Sequence, residues 1–247
     1  MRINAFIACR LGSKRIKFKN LLLIKGKPLF SYLTDNAILC KKITNLYINT
    51  DSDLIIKIAQ EIYNKKLQYF LRDPHLGTSD AALDDYVYDF MTKCDGDITI
   101  FLNPCSLFLK SETIDNAIDY FIRKNLDSCC ASDIAQTHCF YKNNSINFLP
   151  NVKQPRSQDL EPVHCMTSGF FIWRNKTFIE YYEKNSAANF CGNFESYGIS
   201  KMESIDIDNY EDLEFAERFL NNDENKLSLK YHRSVDNLIK NNLIKSN

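Results

Sequence analysis

The stretch Ile3-Asn4-Ala5-Phe6-Ile7-Ala8-Cys9-Arg10-Leu11-Gly12-Ser13-Lys14-Arg15-Ile16-Lys17-Phe18-Lys19-Asn20 decides the fold. The apolar run Ile3 to Ala8 reads as a buried first strand. A loop follows that packs Gly12, Ser13 and five cations (Arg10, Lys14, Arg15, Lys17, Lys19) into ten residues. Gly12 has no Cβ, so the backbone is free to turn sharply and a ligand to approach closely. Backbone N–H groups in such a turn form an anion-binding concavity. Donors and cations interleaved behind a first strand suit a polyphosphate. On charge alone a short basic run reads as a solvated loop. Its place at the carboxyl end of strand one in an α/β pattern favours the functional reading. The glycine spacings of the Walker loop and of the dinucleotide fingerprint are both absent. Pro28 stands where the first turn of a helix begins, and Leu29 to Cys40 reads as that helix.

The 247 residues are enough for one large α/β domain with a small excursion. Thirty-one basic residues against 31 acidic ones argue against a nucleic-acid binder, which carries a basic excess. No apolar run has the length of a membrane span and no signal peptide precedes strand one, so a cytoplasmic location is expected. The nine cysteines are odd in number and contain no C-x-x-C pair, which predicts free thiols rather than a disulfide frame or a zinc site. Cys129 and Cys130 are expected on opposite faces of a strand. His75, His138, His164 and His232 show no metal spacing.

Further along, Leu46–Thr50 reads as a strand ending at Asp51, which either caps the helix Leu54–Lys65 or presents a carboxylate at the strand end. Gln68–Leu71 predicts a third strand, followed by Arg72. Leu76–Asp80 is expected to open a helix running through Phe90, with Ser79 and Asp80 as cap candidates. Asp97–Leu102 is a core strand ending in Asn103, Glu112–Lys124 an amphipathic helix and Asp127–Ala131 a further strand. From about 132 to 163 the chain is polar and weakly periodic. Ser204-Ile205-Asp206-Ile207-Asp208 reads as a strand whose spacing aims Asp206 and Asp208 to one side. Two such carboxylates repel and require a cation or donors. Hard oxygen ligands of this kind suit Mg²⁺ beside a triphosphate. The competing readings are an exposed strand face, or Asp208 capping the next helix. Residues 221–247 form a tail with no assigned function, within which Val235–Ile244 has the pattern of a short helix.

Arg10-x-Gly12-Ser13-Lys14-Arg15-Ile16-x-x-Lys19-Asn20, with Gly26-Lys27-Pro28-Leu29 behind it, resembles the acylneuraminate cytidylyltransferase family, which makes CMP-activated sugar acids. The family's adjacent glycines and its Pro-Gly pair are replaced here by Leu11, Lys17 and Phe18. Asn49-Thr50-Asp51 resembles a Ser-Thr-Asp triplet, and Arg72-Asp73-Pro74 an Arg-Pro pair with one residue inserted. Asn103-Pro104-Cys105-Ser106 resembles Gln-Pro-Thr-Ser, which implies Asn103 beside the acceptor and Cys105 as a small buried residue. His138–Lys142 resembles the point where relatives leave the main sheet to pair with a second subunit. Gln154–Pro162 resembles Pro-Arg-x-Gln-Asp-Leu-x-Pro, which implies Arg156 and Gln158 near the acceptor. Ser168 stands where relatives carry an asparagine. Ser204–Asp208 through Asp212, Ala216 and Glu217 is similar to the family's metal motif.

The resemblance spans residues 1–220 and implies a three-layer α/β/α sandwich with a mostly parallel nucleotide-binding sheet and a dimerisation excursion. It implies transfer of CMP from CTP to a sugar acid's hydroxyl, with release of pyrophosphate. Arg10, Lys14 and Lys19 would neutralise the triphosphate, with Gly12 and Ser13 in the same loop. Asn20 and Arg72 would read cytosine, with Ser79 near the nucleotide. Asp206 and Asp208 would hold Mg²⁺, and no general base is evident. A homodimer is expected. The alternatives are a cytidylyltransferase for another acceptor and a degenerate nucleotide-binding homologue without turnover.

Overall fold

Strand β1 (Ile3–Ala8) alternates between two cores, and that alternation sets the architecture. Ile3, Ala5 and Ile7 pack on one face of the sheet, and Phe6 on the other. The computed structural model describes residues 1–64 and 67–221; the tail expected over 222–247, with its short helix, lies outside the described residues. After the basic loop, β2 (Leu23–Ile24) and β3 (Lys27–Pro28) form a small ribbon, and α1 (Leu29–Ile38) begins directly at Pro28. Then come β4 (Asn45–Thr50), α2 (Asp53–Tyr63), β5 (Gln68–Leu71), α3 (Leu83–Lys93), β6 (Ile98–Leu102) and α4 (Ser111–Arg123). The chain continues with β7 (Ser128–Ala135), the short hairpin β8 (Phe140–Tyr141) and β9 (Asn144–Ser145), and β10 (Val163–Arg174). It finishes with α5 (Asn175–Asn185), β11 (Phe194–Ile199) and α6 (Tyr210–Asn221).

Seven strands form one sheet in the order β11-β7-β10-β6-β1-β4-β5. All run in one direction except β10, which pairs antiparallel with both β6 and β7. Helices α1, α2 and α4 bury Phe30, Ile55 and Phe121 against one face; α3 and α5 bury Phe90 and Phe178 against the other. This is the expected three-layer sandwich. Cys129 and Cys130 face opposite cores, and none of the nine cysteines is paired. A third apolar cluster joins Ile16, Ile24 and Leu29 to Ile207 and Ala216, and so ties the basic loop to the carboxyl-terminal segment.

Two expectations need correction. The helix expected from Leu76 begins at Leu83: Pro74–Gly77 is a 3-10 turn, and Asp85 accepts the Ala82 N–H at 3.1 Å to start α3. Asp206–Asp208 is not in a strand, because its backbone is held by the loops on either side of it. Between β7 and β10, residues 136–162 leave the seven-stranded sheet. The outer half of β7 pairs with Val163–Met166 and extends the sheet into an arm, which explains how a polar stretch remains regular.

Glu203 anchors the turn that leads to Asp206. It is buried, and accepts the Lys110 N–H at the start of α4 at 3.1 Å and the Ser200 hydroxyl at 2.6 Å. Burial pushes its carboxyl up, but these hydrogen bonds outweigh burial and leave it below the usual glutamate range. A lowered folded value stabilises the protein above the ordinary glutamate pKa, and that stability is lost as pH falls through the folded value. Glu203→Ala is therefore expected to cost about 2 kcal/mol at neutral pH. Urea melts should show the gap between parent and variant closing under acid; a pH-independent gap would mean that the charge does not matter.

Candidate active site

The carboxyl ends of β1, β5 and β6 open into a cavity of about 590 Å³. The basic loop after β1 supplies Arg10, Ser13, Lys14, Arg15, Lys19 and Asn20 to its wall. Arg72 enters just after β5, and Ser79 and Tyr86 from the connection to α3 and from α3 itself. Asn103 and Cys105 follow β6, and Asp206 and Asp208 close the far side. Five cations (Arg10, Lys14, Arg15, Lys19, Arg72) thus face two carboxylates. The excess of positive charge suits an anion carrying several negative charges.

The loop is held in place by named bonds. Asp51 Oδ1 accepts the Leu11 N–H at 3.0 Å, so Asp51 braces the loop rather than capping α2. Its side chain also fills the space a Cβ at Gly77 would need. Asn20 donates Nδ2 to the Arg10 carbonyl at 2.9 Å, and Arg10 donates to the Thr78 carbonyl at 3.1 Å. Gly12 does not line the cavity, has no positive φ, and would carry a Cβ into open space. The left-handed residue of the loop is Phe18, at φ 53°.

Lys19 reaches across to the carboxyl-terminal segment, donating to the Ile207 carbonyl at 2.6 Å and lying 3.3 Å from Asp208 Oδ1. Burial pulls its ammonium down, but the hydrogen-bonding Cys105 sulfur and the carboxylates of Asp206 and Asp208 outweigh burial and hold it above the usual lysine range. Arg15 pairs with the same Asp208 oxygen at 2.8 Å. Asp208 is free to do so because Asn209 and Asp212 cap α6 reciprocally: Asn209 Oδ1 takes the Asp212 N–H, and Asp212 takes the N–H groups of Asp208 and Asn209. Ile207 is fully buried between the two acids, and its N–H donates to the Cys105 carbonyl at 3.1 Å. Burial pushes the Cys105 thiol up to about 11, so it remains a neutral filler as expected.

Three buried polar atoms without partners gather at this cavity: Asn20 Oδ1, Arg72 Nε and Asp206 Oδ1. Buried polar groups are nearly always satisfied, so such a group of orphans marks where a ligand completes the structure. Arg72 is buried over the Tyr86 ring, 4.8 Å from its centroid. Burial lowers its guanidinium, partly offset by Tyr86 and Asp51. Burial also raises the Tyr86 phenol to about 12, so it stays neutral. Ser79 reaches the cavity but caps no helix, its hydroxyl lying 3.2 Å from Asp80 Oδ1.

Asp206 Oδ2 accepts the Ser168 hydroxyl at 2.6 Å and Asn103 Nδ2 at 3.2 Å. Burial raises its carboxyl above the usual range, with Asp208 adding to that and Ser168, Lys19 and Asn103 opposing it. With Oδ1 unpartnered and Asp208 alongside, the donor set fits a hard divalent cation that also binds substrate oxygens. Among the described residues no group of three or more His, Cys, Asp or Glu is assembled to enclose a metal by itself.

Arg156 and Gln158 are not in this cavity. They lie exposed on the arm, where Arg156 pairs with Asp159 at 2.8 Å. Arg15 and Tyr86 are cavity residues that sequence reasoning did not single out.

A family model described as Cytidylyltransferase matches residues 5–235. The chain belongs to the cytidylyltransferase family. It is 27% identical over 223 residues to an N-acylneuraminate cytidylyltransferase of Streptococcus agalactiae, covering 86% of this chain and 52% of that one. The chain thus spans about half the length of that relative. It is 28% identical to a CMP-N,N'-diacetyllegionaminic acid synthase of Legionella pneumophila, covering 89% and 97% of the two chains. A pseudaminic acid cytidylyltransferase of Campylobacter jejuni is 26% identical, with 87% and 95% covered. Among solved structures, a CMP:2-keto-3-deoxy-manno-octonic acid synthetase complexed with CTP superposes with a TM-score of 0.70 at 13% identity, over 90% of this chain and 100% of that one. This cytidylyltransferase therefore keeps the family's sheet with its own loop chemistry. No helix among the described residues is long and apolar enough to cross a membrane.

Proposed function

We propose that this cytidylyltransferase transfers CMP from CTP to the hydroxyl of a sugar acid and releases pyrophosphate. The observation that carries the reading is the grouping of Asn20 Oδ1, Arg72 Nε and Asp206 Oδ1 as unpartnered buried atoms in one cationic cavity. An acceptor at Asn20 Oδ1 meets the exocyclic amine of cytosine and rejects the carbonyl of uracil at the same position. Arg10, Lys14 and Lys19 neutralise the triphosphate, and Ser13 and Ser79 supply hydroxyls beside it. The acceptor's hydroxyl attacks the α-phosphorus in line with the leaving pyrophosphate. Mg²⁺ held by Asp206 and Asp208 would supply charge neutralisation at the phosphoryl and leaving oxygens. The proposed location is the cytoplasm, where CTP is made available.

Pyrophosphate release with each of the four nucleoside triphosphates tests the nucleotide. CTP is expected to exceed UTP, ATP and GTP by about a hundredfold or more, the discrimination of a site that hydrogen-bonds its substrate's base. Equal release from UTP removes the cytidylyl assignment. The acceptor needs its own panel of sugar acids. Asn103 gives both amide hydrogens to Ser168 and Asp206 and takes the Cys105 N–H on Oδ1, so it has none left to offer a substrate hydroxyl. This favours an acceptor held differently from the one implied by a glutamine at that place.

The arm supports a homodimer. Phe140, Tyr141, Ile146, Leu149 and Val152 are all more than half exposed on it, with Met166 at its base. Large exposed apolar side chains grouped on one excursion favour burial against a partner. Arg156 and Gln158 would then meet the partner's cavity rather than their own. Light scattering is expected to give a dimer, and Phe140→Asp with Leu149→Asp to give a monomer with impaired acceptor use. A fully active monomer at high protein concentration would contradict this.

A further inference from the structure

Asp206, Asn103 and Ser168 form a closed hydrogen-bonded triangle at the cavity wall. Asn103 Nδ2 donates to Ser168 Oγ at 2.9 Å and to Asp206 Oδ2 at 3.2 Å; Ser168 donates its one hydrogen to Asp206 Oδ2 at 2.6 Å. Every donor hydrogen of the two polar side chains is thereby assigned. Asn103 is itself fixed, because its Oδ1 takes the Cys105 N–H at 3.1 Å. Ser168 lies in the stretch of β10 where the register with β7 shifts, between Met166 and Phe171. Such bulges re-aim a side chain near a functional site. The result is asymmetric: Oδ2 is saturated, and Oδ1 is buried and has no partner.

We propose that Ser168 and Asn103 are positioning residues. They fix the Asp206 carboxylate so that only Oδ1 is presented to a divalent cation arriving with the nucleotide. This rests on the metal role of Asp206 stated above. Groups that orient a ligating carboxylate typically change metal affinity by ten- to a hundredfold when removed. Neither residue is then an acceptor contact, although both face the same end of the sheet as the acceptor must.

The test is the affinity of CTP for the full chain by calorimetry, without acceptor, in Mn²⁺ and in a chelator. In the parent, Mn²⁺ tightens CTP binding. Ser168→Ala should reduce that tightening by about tenfold or more, leave chelator-measured affinity within about twofold, and leave acceptor KM unchanged at saturating Mn²⁺. Ser168→Thr, which keeps the hydroxyl, should restore the Mn²⁺ effect. Asn103→Ala should act in the same direction, and it carries the test if Ser168→Ala does not fold. The double variant should lose less than the product of the single losses, since both act through one oxygen. Asp206→Asn separates the two readings. If it leaves the Mn²⁺ effect intact, the metal assignment itself is wrong. If it abolishes the effect while Ser168→Ala keeps it and raises acceptor KM, the positioning role is overturned and Ser168 is a substrate contact.

Discussion

Asp206→Asn or Asp208→Asn is expected to lower kcat by about two orders of magnitude or more, because each removes a carboxylate proposed to hold the cation without changing shape. The fold should survive either change. Burial already pushes Asp206 toward its protonated form, so its ionised carboxylate costs stability at neutral pH in the free protein. Asp206→Asn should therefore melt at or above the parent temperature without metal. CTP binding without divalent cation should weaken only modestly, since the cations of the loop remain. Steady-state kinetics over a Mg²⁺ titration, with a thermal melt of each variant, checks both parts. Near-normal turnover with the parent's metal dependence in both variants would leave the two acids as merely structural.

Lys19→Met should be nearly as severe, for a different reason. Lys19 is the cation of the basic loop whose side chain is largely sequestered, at 12% exposure, so its charge acts through little intervening water. Removing one preorganised donor from developing phosphoryl charge costs about 10²–10³ in rate. The same substitution leaves the Ile207 carbonyl without its 2.6 Å donor and Asp208 with Arg15 alone. Stability should fall together with kcat/KM for CTP. Lys14→Met, on the exposed part of the loop, should lose substrate affinity with little change in melting. Equal effects of the two changes on both measurements would show that the bridge to Ile207 is unimportant.

The central strands β1, β4 and β6 were legible because each is a short run with apolar alternation ended by a polar residue that must leave the sheet, whereas β11, with its mixed Phe194-Glu195-Ser196, was not. Gln68–Leu71 falls where expected, and β1 does also. The start of α3 was not legible, because Thr78-Ser79-Asp80 carries the chemistry of a helix cap while Pro74 diverts the chain into a 3-10 turn. Within the site, Arg15 was one of five similar cations until its contact with Asp208, far along the chain, set it apart. Tyr86 reads in sequence as an ordinary aromatic of an amphipathic helix; only the fold puts Arg72 over its ring. Asp206 and Asp208 were found by their spacing, although the strand assumed to produce it is absent. Their common aim comes from Ile207, which is buried between them. Arg156 shows the remaining limit, since its motif is legible in the sequence but the fold places it outside this chain's cavity, paired with Asp159.

The order of the strands also bears on how such a chain can diverge. The loop after β1, Arg72 after β5 and Ser79 before α3 belong to the half of the sheet running from β6 to β5. Residues 136–162 leave from β7 and return to β10, both on the opposite side of β6. Insertions, deletions and drift in the arm can therefore accumulate without moving the residues that line the cavity. Substitutions in the basic loop have no such freedom, because Lys19 and Ile16 are also structural links to Ile207. One half of the sheet is free to change over generations while the other stays fixed.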